Sequence, residues 1–67
     1  MTFIPPDRLI LALKNAGMSQ KEIAMLSGAS EPQISRILSG ERDPSVELYF
    51  ALFGLWETIA KGGKNGD

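Results

Sequence analysis

The chain has 67 residues, seven lysines and arginines against eight acidic residues, and neither cysteine nor histidine. A length of this order holds one small domain and excludes a second, along with any array of repeats about 20 to 50 residues long. The missing cysteine and histidine remove disulfides, Cys/His zinc sites, thiol nucleophiles and the usual general base, so neither an enzyme nor a metal or other cofactor is expected.

Apolar residues make up 43% and charged residues 22% of the chain, values of a folded globular domain and not of a disordered one. A domain this small buries only about 60% of the surface of its unfolded chain, which makes a partner subunit an expected source of stability. The formal net charge is -1, so composition alone points to neither nucleic acid nor an anionic membrane. No apolar run approaches the length of a membrane span, and the N-terminus lacks the basic start and apolar core of a signal peptide. A cytoplasmic location without membrane contact is expected.

Residues 1–6 contain Phe3 and Ile4 followed by Pro5 and Pro6, which favour an extended arm. Leu9, Ile10, Leu13 and Ala16 then recur at helical spacing, Asp7 is placed to cap, and Gly17 suits a left-handed stop, which predicts a first helix over 7–16. Ser19 and Glu22 form a capping-box pair, opening a second helix that carries Ile23, Ala24 and Leu26 and ends at Gly28. Ser30 and Gln33 repeat the pair, with Pro32 in the first turn where its missing donor costs nothing, and a third helix runs to Ser39.

Gly40 ends that helix, and in the polar connector that follows either Asp43 or Ser45 is placed to cap the next element. From Val46 to Ala60 the chain is apolar on two stripes: Val46, Tyr49, Phe50, Phe53 and Trp56, and Leu48, Leu52, Leu55 and Ile59. Gly54 is where a kink or a division into two helices would fall, yet both stripes pass through it in phase, which favours one continuous helix. The first stripe is expected to seal the core. The second is then left as a homodimer contact within a C-terminal region spanning 44–61. Residues 62–67 hold three glycines and no apolar side chain, and are expected to fray.

The informative segment is 17–40, GMSQKEIAMLSGASEPQISRILSG, in which two short helices with their own capping pairs flank a tight turn: a helix-turn-helix over 19–39. Gly17, Met18, Ser19-Gln20, Ala24, Gly28, Ile34 and Ile37, followed by Gly40, Asp43-Pro44-Ser45 and Val46, stand in the order and spacing of one known group. The chain resembles the Cro/CI-like (XRE) family of bacterial and phage DNA-binding domains over about residues 9–56. Two features depart from it: Ala29 stands where a larger aliphatic is usual, and many relatives are basic.

The resemblance implies an all-α, compact lambda-repressor-like fold of four to five helices, filling 1–67 as a single domain. It also implies a sequence-specific double-stranded DNA-binding regulator, a homodimeric repressor of the small phage or prophage type acting on a palindromic operator, with no small-molecule ligand. Antitoxins and anti-CRISPR-associated regulators share the pattern, and a module that keeps the fold but docks a protein partner is the other reading open to it.

On a wheel at about 100° per residue, Glu31, Pro32, Ser35, Arg36 and Ser39 share the outward arc of the third helix, with Gln33 at the margin. Arg36 offers a fork for a guanine, Glu31 an acceptor for a cytosine amine, and Pro32 apolar surface for a thymine methyl. The family carries base contacts at the positions of Glu31, Pro32 and Arg36, and Ser35 shares their face. Phosphate contacts are expected from Gln20, Lys21, Ser30, Ser39 and Arg42, beside helix N-termini whose free amides suit an anion. Ser19, Glu22 and Gln33 are assigned to capping, and Tyr49, Phe50, Phe53 and Trp56 to core.

Overall fold

A computed structural model describes residues 3–61. It is all-helical over that span, with α1 (Pro6–Asn15), α2 (Gln20–Ser27), α3 (Glu31–Ser39) and α4 (Val46–Ala60). The expected fraying of 62–67, and the first two residues of the arm, lie outside the described residues.

The first helix starts one residue earlier than expected and without Asp7 as its cap. Pro5 is the cap residue and Pro6 opens the helix, since a ring-fixed φ and a missing N–H suit a first turn whose amides have no helical acceptor. The Pro5 carbonyl accepts from the N–H groups of Arg8 and Leu9 at 3.0 and 3.1 Å. Asp7 sits inside the first turn, where a carboxylate is favoured by the positive end of the helix.

The two capping pairs form largely as expected. Ser19 Oγ accepts from the Glu22 N–H at 3.0 Å. At α3 the box is complete: Ser30 Oγ accepts from the Gln33 N–H at 3.3 Å, and the Gln33 side-chain oxygen accepts from the Ser30 N–H at 3.4 Å. Gly28 closes α2 at φ +80°, and the Ala29 N–H reaches back to the Ala24 carbonyl at 2.8 Å. That left-handed residue lets two helices be joined by a turn of three residues. Of the two candidate caps for α4, Ser45 takes the role, accepting from the Leu48 N–H at 3.1 Å. The helix then runs unbroken through Gly54, whose carbonyl accepts from Thr58 Oγ1 at 3.0 Å.

Leu9, Ile10 and Leu13 from α1, Ile23 and Ala24 from α2, Ile34 and Ile37 from α3, and Leu48 and Leu52 from α4 make the buried core. This corrects the assignment of the two stripes of α4. Leu52 is fully buried and Leu48 nearly so, and Leu55 and Ile59 are half-buried against the same core, whereas Val46 is 71% and Phe50 66% exposed. The stripe expected to lack cover faces inward. Leu48 and Leu52 are therefore withdrawn as the dimer contact, because they already pack within their own chain, while Leu55 and Ile59 keep part of their surface exposed. Tyr49, Phe53 and Trp56 of the first stripe do pack against the core, at its edge.

The arm is fastened to α4. Tyr49 Oη donates to the Ile4 carbonyl at 2.7 Å, and the Phe3 ring stacks on Tyr49 with centroids 5.4 Å apart. Among the described residues no helix is long and apolar enough to cross a membrane.

Candidate nucleic-acid interface

The surface of α3 follows from its own sequence. Ile34 and Ile37 are buried and Leu38 is half-buried, while Glu31, Pro32, Gln33, Ser35, Arg36 and Ser39 are exposed. Because the inward positions are the only ones carrying aliphatic side chains, burying them turns the polar arc outward as one face. The core contacts of Ile34 and Ile37 set the rotation of that face, and the Ser30–Gln33 box sets where the helix begins.

Gln20 joins the N-terminal ends of α2 and α3, its Nε2 donating to the Glu31 carbonyl at 3.4 Å. One of its two amide protons is thus directed at protein, and the other is left for an outside acceptor. Ser39 differs from the role expected of it. Its hydroxyl donates to the Arg36 carbonyl at 3.1 Å, so the one proton it has to offer a phosphate is already engaged. Lys21, in the first turn of α2, is exposed.

Arg42 comes up beside α3 because the connector folds back on the helix end. The N–H groups of Glu41 and Arg42 both reach the Arg36 carbonyl, at 2.9 and 3.3 Å, and Gly40, at φ +85°, permits the reversal. Ser30, Gln33, Arg36 and Arg42 then line one hollow of about 220 Å³. Three of these four stood apart in the sequence reading, as a phosphate contact, a cap and a base contact; the structure brings them together. The spacing of 30, 33 and 36 along one strip of a helix was visible in the sequence, but the approach of Arg42 depended on the path of the connector.

Elsewhere the most exposed large apolar side chains include Phe3, Val46 and Phe50. Together with Pro6, Pro44 and Tyr49 they line a groove of about 600 Å³, with Asp43 at its rim.

A helix-turn-helix family model matches residues 9–53, a span that takes in the buried residues of all four helices. The chain belongs to the XRE family of helix-turn-helix DNA-binding domains. A protein named P2 from Acyrthosiphon pisum secondary endosymbiont phage 1 is 38% identical to it over 56 residues, covering 82% of this chain and 60% of the relative. An uncharacterised HTH-type transcriptional regulator of Haemophilus influenzae is 39% identical over 44 residues, covering 66% of this chain and 45% of the relative. The chain therefore spans about half the length of the curated relatives it matches. No solved structure matches it. The XRE match extends from α1 into the first half of α4, and so takes in α2, α3 and the buried residues they pack against.

Proposed function

We propose that this XRE domain is a transcriptional regulator that lays α3 in the major groove of double-stranded DNA. The observation that carries the reading is the face of α3, where the outward residues are exposed and polar while its aliphatic residues hold the core. Glu31, Pro32, Ser35 and Arg36 meet base edges, Arg36 with a planar fork that suits the two acceptors of a guanine. Gln20, Lys21, Ser30 and Arg42 position the helix on the backbone. Repression is the simplest output of such a domain, since a bound copy denies its site to other proteins.

A nine-residue helix reads few base pairs, and a second copy on a palindromic site doubles the contacts without a new motif. The reading as a homodimer is supported by the groove beside Phe3, Val46 and Phe50, apolar surface that one chain leaves open. That groove also favours the competing reading, a partner-docking module of the same fold.

Selection of binding sites from random duplexes tests both. An enriched sequence with two-fold symmetry, its half-sites about 34 Å apart, supports the dimeric regulator. No enrichment leaves the docking module. Residues 17–42 carry three basic against three acidic side chains, so few counterions are released and log K is expected to fall against log salt with a slope of roughly 2 to 4 per subunit.

A further inference from the structure

The groove between the arm and the start of α4 has a chemistry of its own. Pro5 and Pro6 hold the arm out of a helix until α1 begins, and the bond from Tyr49 Oη to the Ile4 carbonyl fastens it against α4. The rings of Phe3, Pro6, Pro44, Tyr49 and Phe50 are thereby gathered with Val46 around a space of about 600 Å³. Phe3 stacks on Tyr49 with ring planes 11° apart, and Phe50 stands at 66° to Tyr49 with centroids 6.1 Å away. Phe3, Val46 and Phe50 remain 70%, 71% and 66% exposed. These side chains flank the groove as ridges and do not plug it.

The polar character is as one-sided as the apolar. Asp43 is the single charged residue of the lining, and no lysine or arginine joins it. Glu47, exposed beside Val46, adds the same sign. The Tyr49 hydroxyl is already engaged by the arm.

These features select among occupants. A second copy closing by a two-fold contact presents the same lining residues, and so brings no cation from the groove to Asp43. An extended strand needs acceptors for its N–H groups, and the side chains of the groove offer no row of them. A proline-rich segment has few N–H groups, is ordered as a polyproline II helix before it binds, and docks in grooves lined by aromatic rings. A basic residue next to the prolines supplies the charge that Asp43 lacks.

We propose that this groove docks a proline-rich segment of another protein, held in the polyproline II conformation between the Phe3 and Phe50 ridges, with a lysine or arginine of that segment beside Asp43. The docking is independent of DNA binding. Its effect on the operator rests on the dimeric reading above: segment and second copy compete for one surface, so an occupied groove lowers operator affinity.

The test is selection from a library of random peptides on the whole chain, immobilised sparsely enough to be monomeric. Peptides with two prolines three positions apart and a flanking lysine or arginine are expected to be enriched. Phe50→Ala should weaken the best of them by about tenfold or more, as the loss of an aromatic anchor does. Asp43→Lys should weaken it by about two- to fivefold, the scale of an exposed ion pair, and repeating the selection on that variant should enrich acidic flanks instead. Met25→Ala, 69% exposed but outside the groove, should change nothing, and circular dichroism should be the same for all three variants. No enrichment, enrichment indifferent to Phe50→Ala, or enrichment of apolar residues three and four apart without proline overturns the proposal, the last assigning the groove to an amphipathic helix. Sedimentation and operator binding with the selected peptide added then test the competition. A chain that is monomeric at every concentration removes the dimeric reading and the competition, while the peptide selection still decides the docking.

Discussion

Helices α3 and α4 pack into the same core, yet they orient themselves in different ways. In α3 the buried Ile34 and Ile37, with half-buried Leu38, leave a surface of Glu31, Gln33, Ser35, Arg36 and Ser39. In α4 the only charged or small polar side chains are Glu47, Glu57 and Thr58, and leucines and aromatics surround the axis. Polarity therefore fixes the rotation of α3 from within. The rotation of α4 is fixed from outside, by the shape of the space that α1, α2 and α3 leave for it. Leu48 and Leu52 are the side chains that fill that space, and the bulkier Tyr49, Phe53 and Trp56 cover its edge. A helix with one apolar side declares its inward face; a helix with two leaves the choice to its neighbours.

The most damaging test of that contrast is made on α4. Leu52→Ala removes a fully buried side chain and should cost about 2 to 5 kcal/mol of stability, a large share of what a domain of this size has. Phe50→Ala, two residues away on the exposed side, should stay within about 0.5 kcal/mol of the wild type at concentrations low enough for the chain to be monomeric. Urea denaturation followed by circular dichroism separates the two. Were Leu52→Ala well tolerated and Phe50→Ala the severe variant, the stripes would be the other way round, as their spacing alone had suggested. A homodimer that closes on Phe3, Val46 and Phe50 adds a second readout: Val46→Asp with Phe50→Glu should lower the sedimenting mass while leaving the helical spectrum, because a desolvated carboxylate opposes association.

The turn between α2 and α3 comes next in size. Gly28 holds φ +80° with nothing within 4 Å of an added Cβ, so Gly28→Ala should cost about 1 kcal/mol or more through backbone strain alone. Chemical denaturation measures it. A neutral result would mean that the turn relaxes, and then the placement of α3 would owe less to Gly28 than to the contacts of Ile34 and Ile37.

This explains why the helix-turn-helix was legible in the sequence and the rest only partly so. Ser19, Gly28, Ser30, Gln33 and Gly40 act through bonds to residues a few positions away, and such local chemistry is written in order along the chain. The outward set Glu31, Pro32, Ser35 and Arg36 followed from the same periodicity. The convergence of Arg42 on Ser30, Gln33 and Arg36 was not read from the sequence, because it is made where the connector folds back on the end of α3, with the Glu41 and Arg42 N–H groups both on the Arg36 carbonyl. The engagement of the Ser39 hydroxyl by the Arg36 carbonyl is local, and the sequence did carry its signal: a serine three residues after a carbonyl near a helix end competes for it. The start of α1 at Pro6 instead of Asp7 is a contest between two local preferences for the first turn, which the proline's missing N–H decides.

The smallest expected effect bears on the continuity of α4. Gly54 lies in the helix interior, is exposed, and would meet nothing within 4 Å if given a Cβ. Glycine there carries its full entropic cost without using its conformational freedom, so Gly54→Ala should stabilise the chain by roughly 0.5 to 1 kcal/mol. A glycine is also the residue that lets a second helix approach closely, and the two roles predict different things. If Gly54 serves only as a helix position, the alanine variant gains stability and associates as the wild type does. If α4 crosses a copy of itself at Gly54, the gain in stability persists at low concentration, where the chain is monomeric, but the association constant falls because the new methyl holds the helices apart. Denaturation and sedimentation equilibrium on the same samples separate these outcomes. A loss of stability at every concentration would mean that the helix bends at Gly54, and that the straight α4 on which the burial of Leu52 depends is not the state in solution.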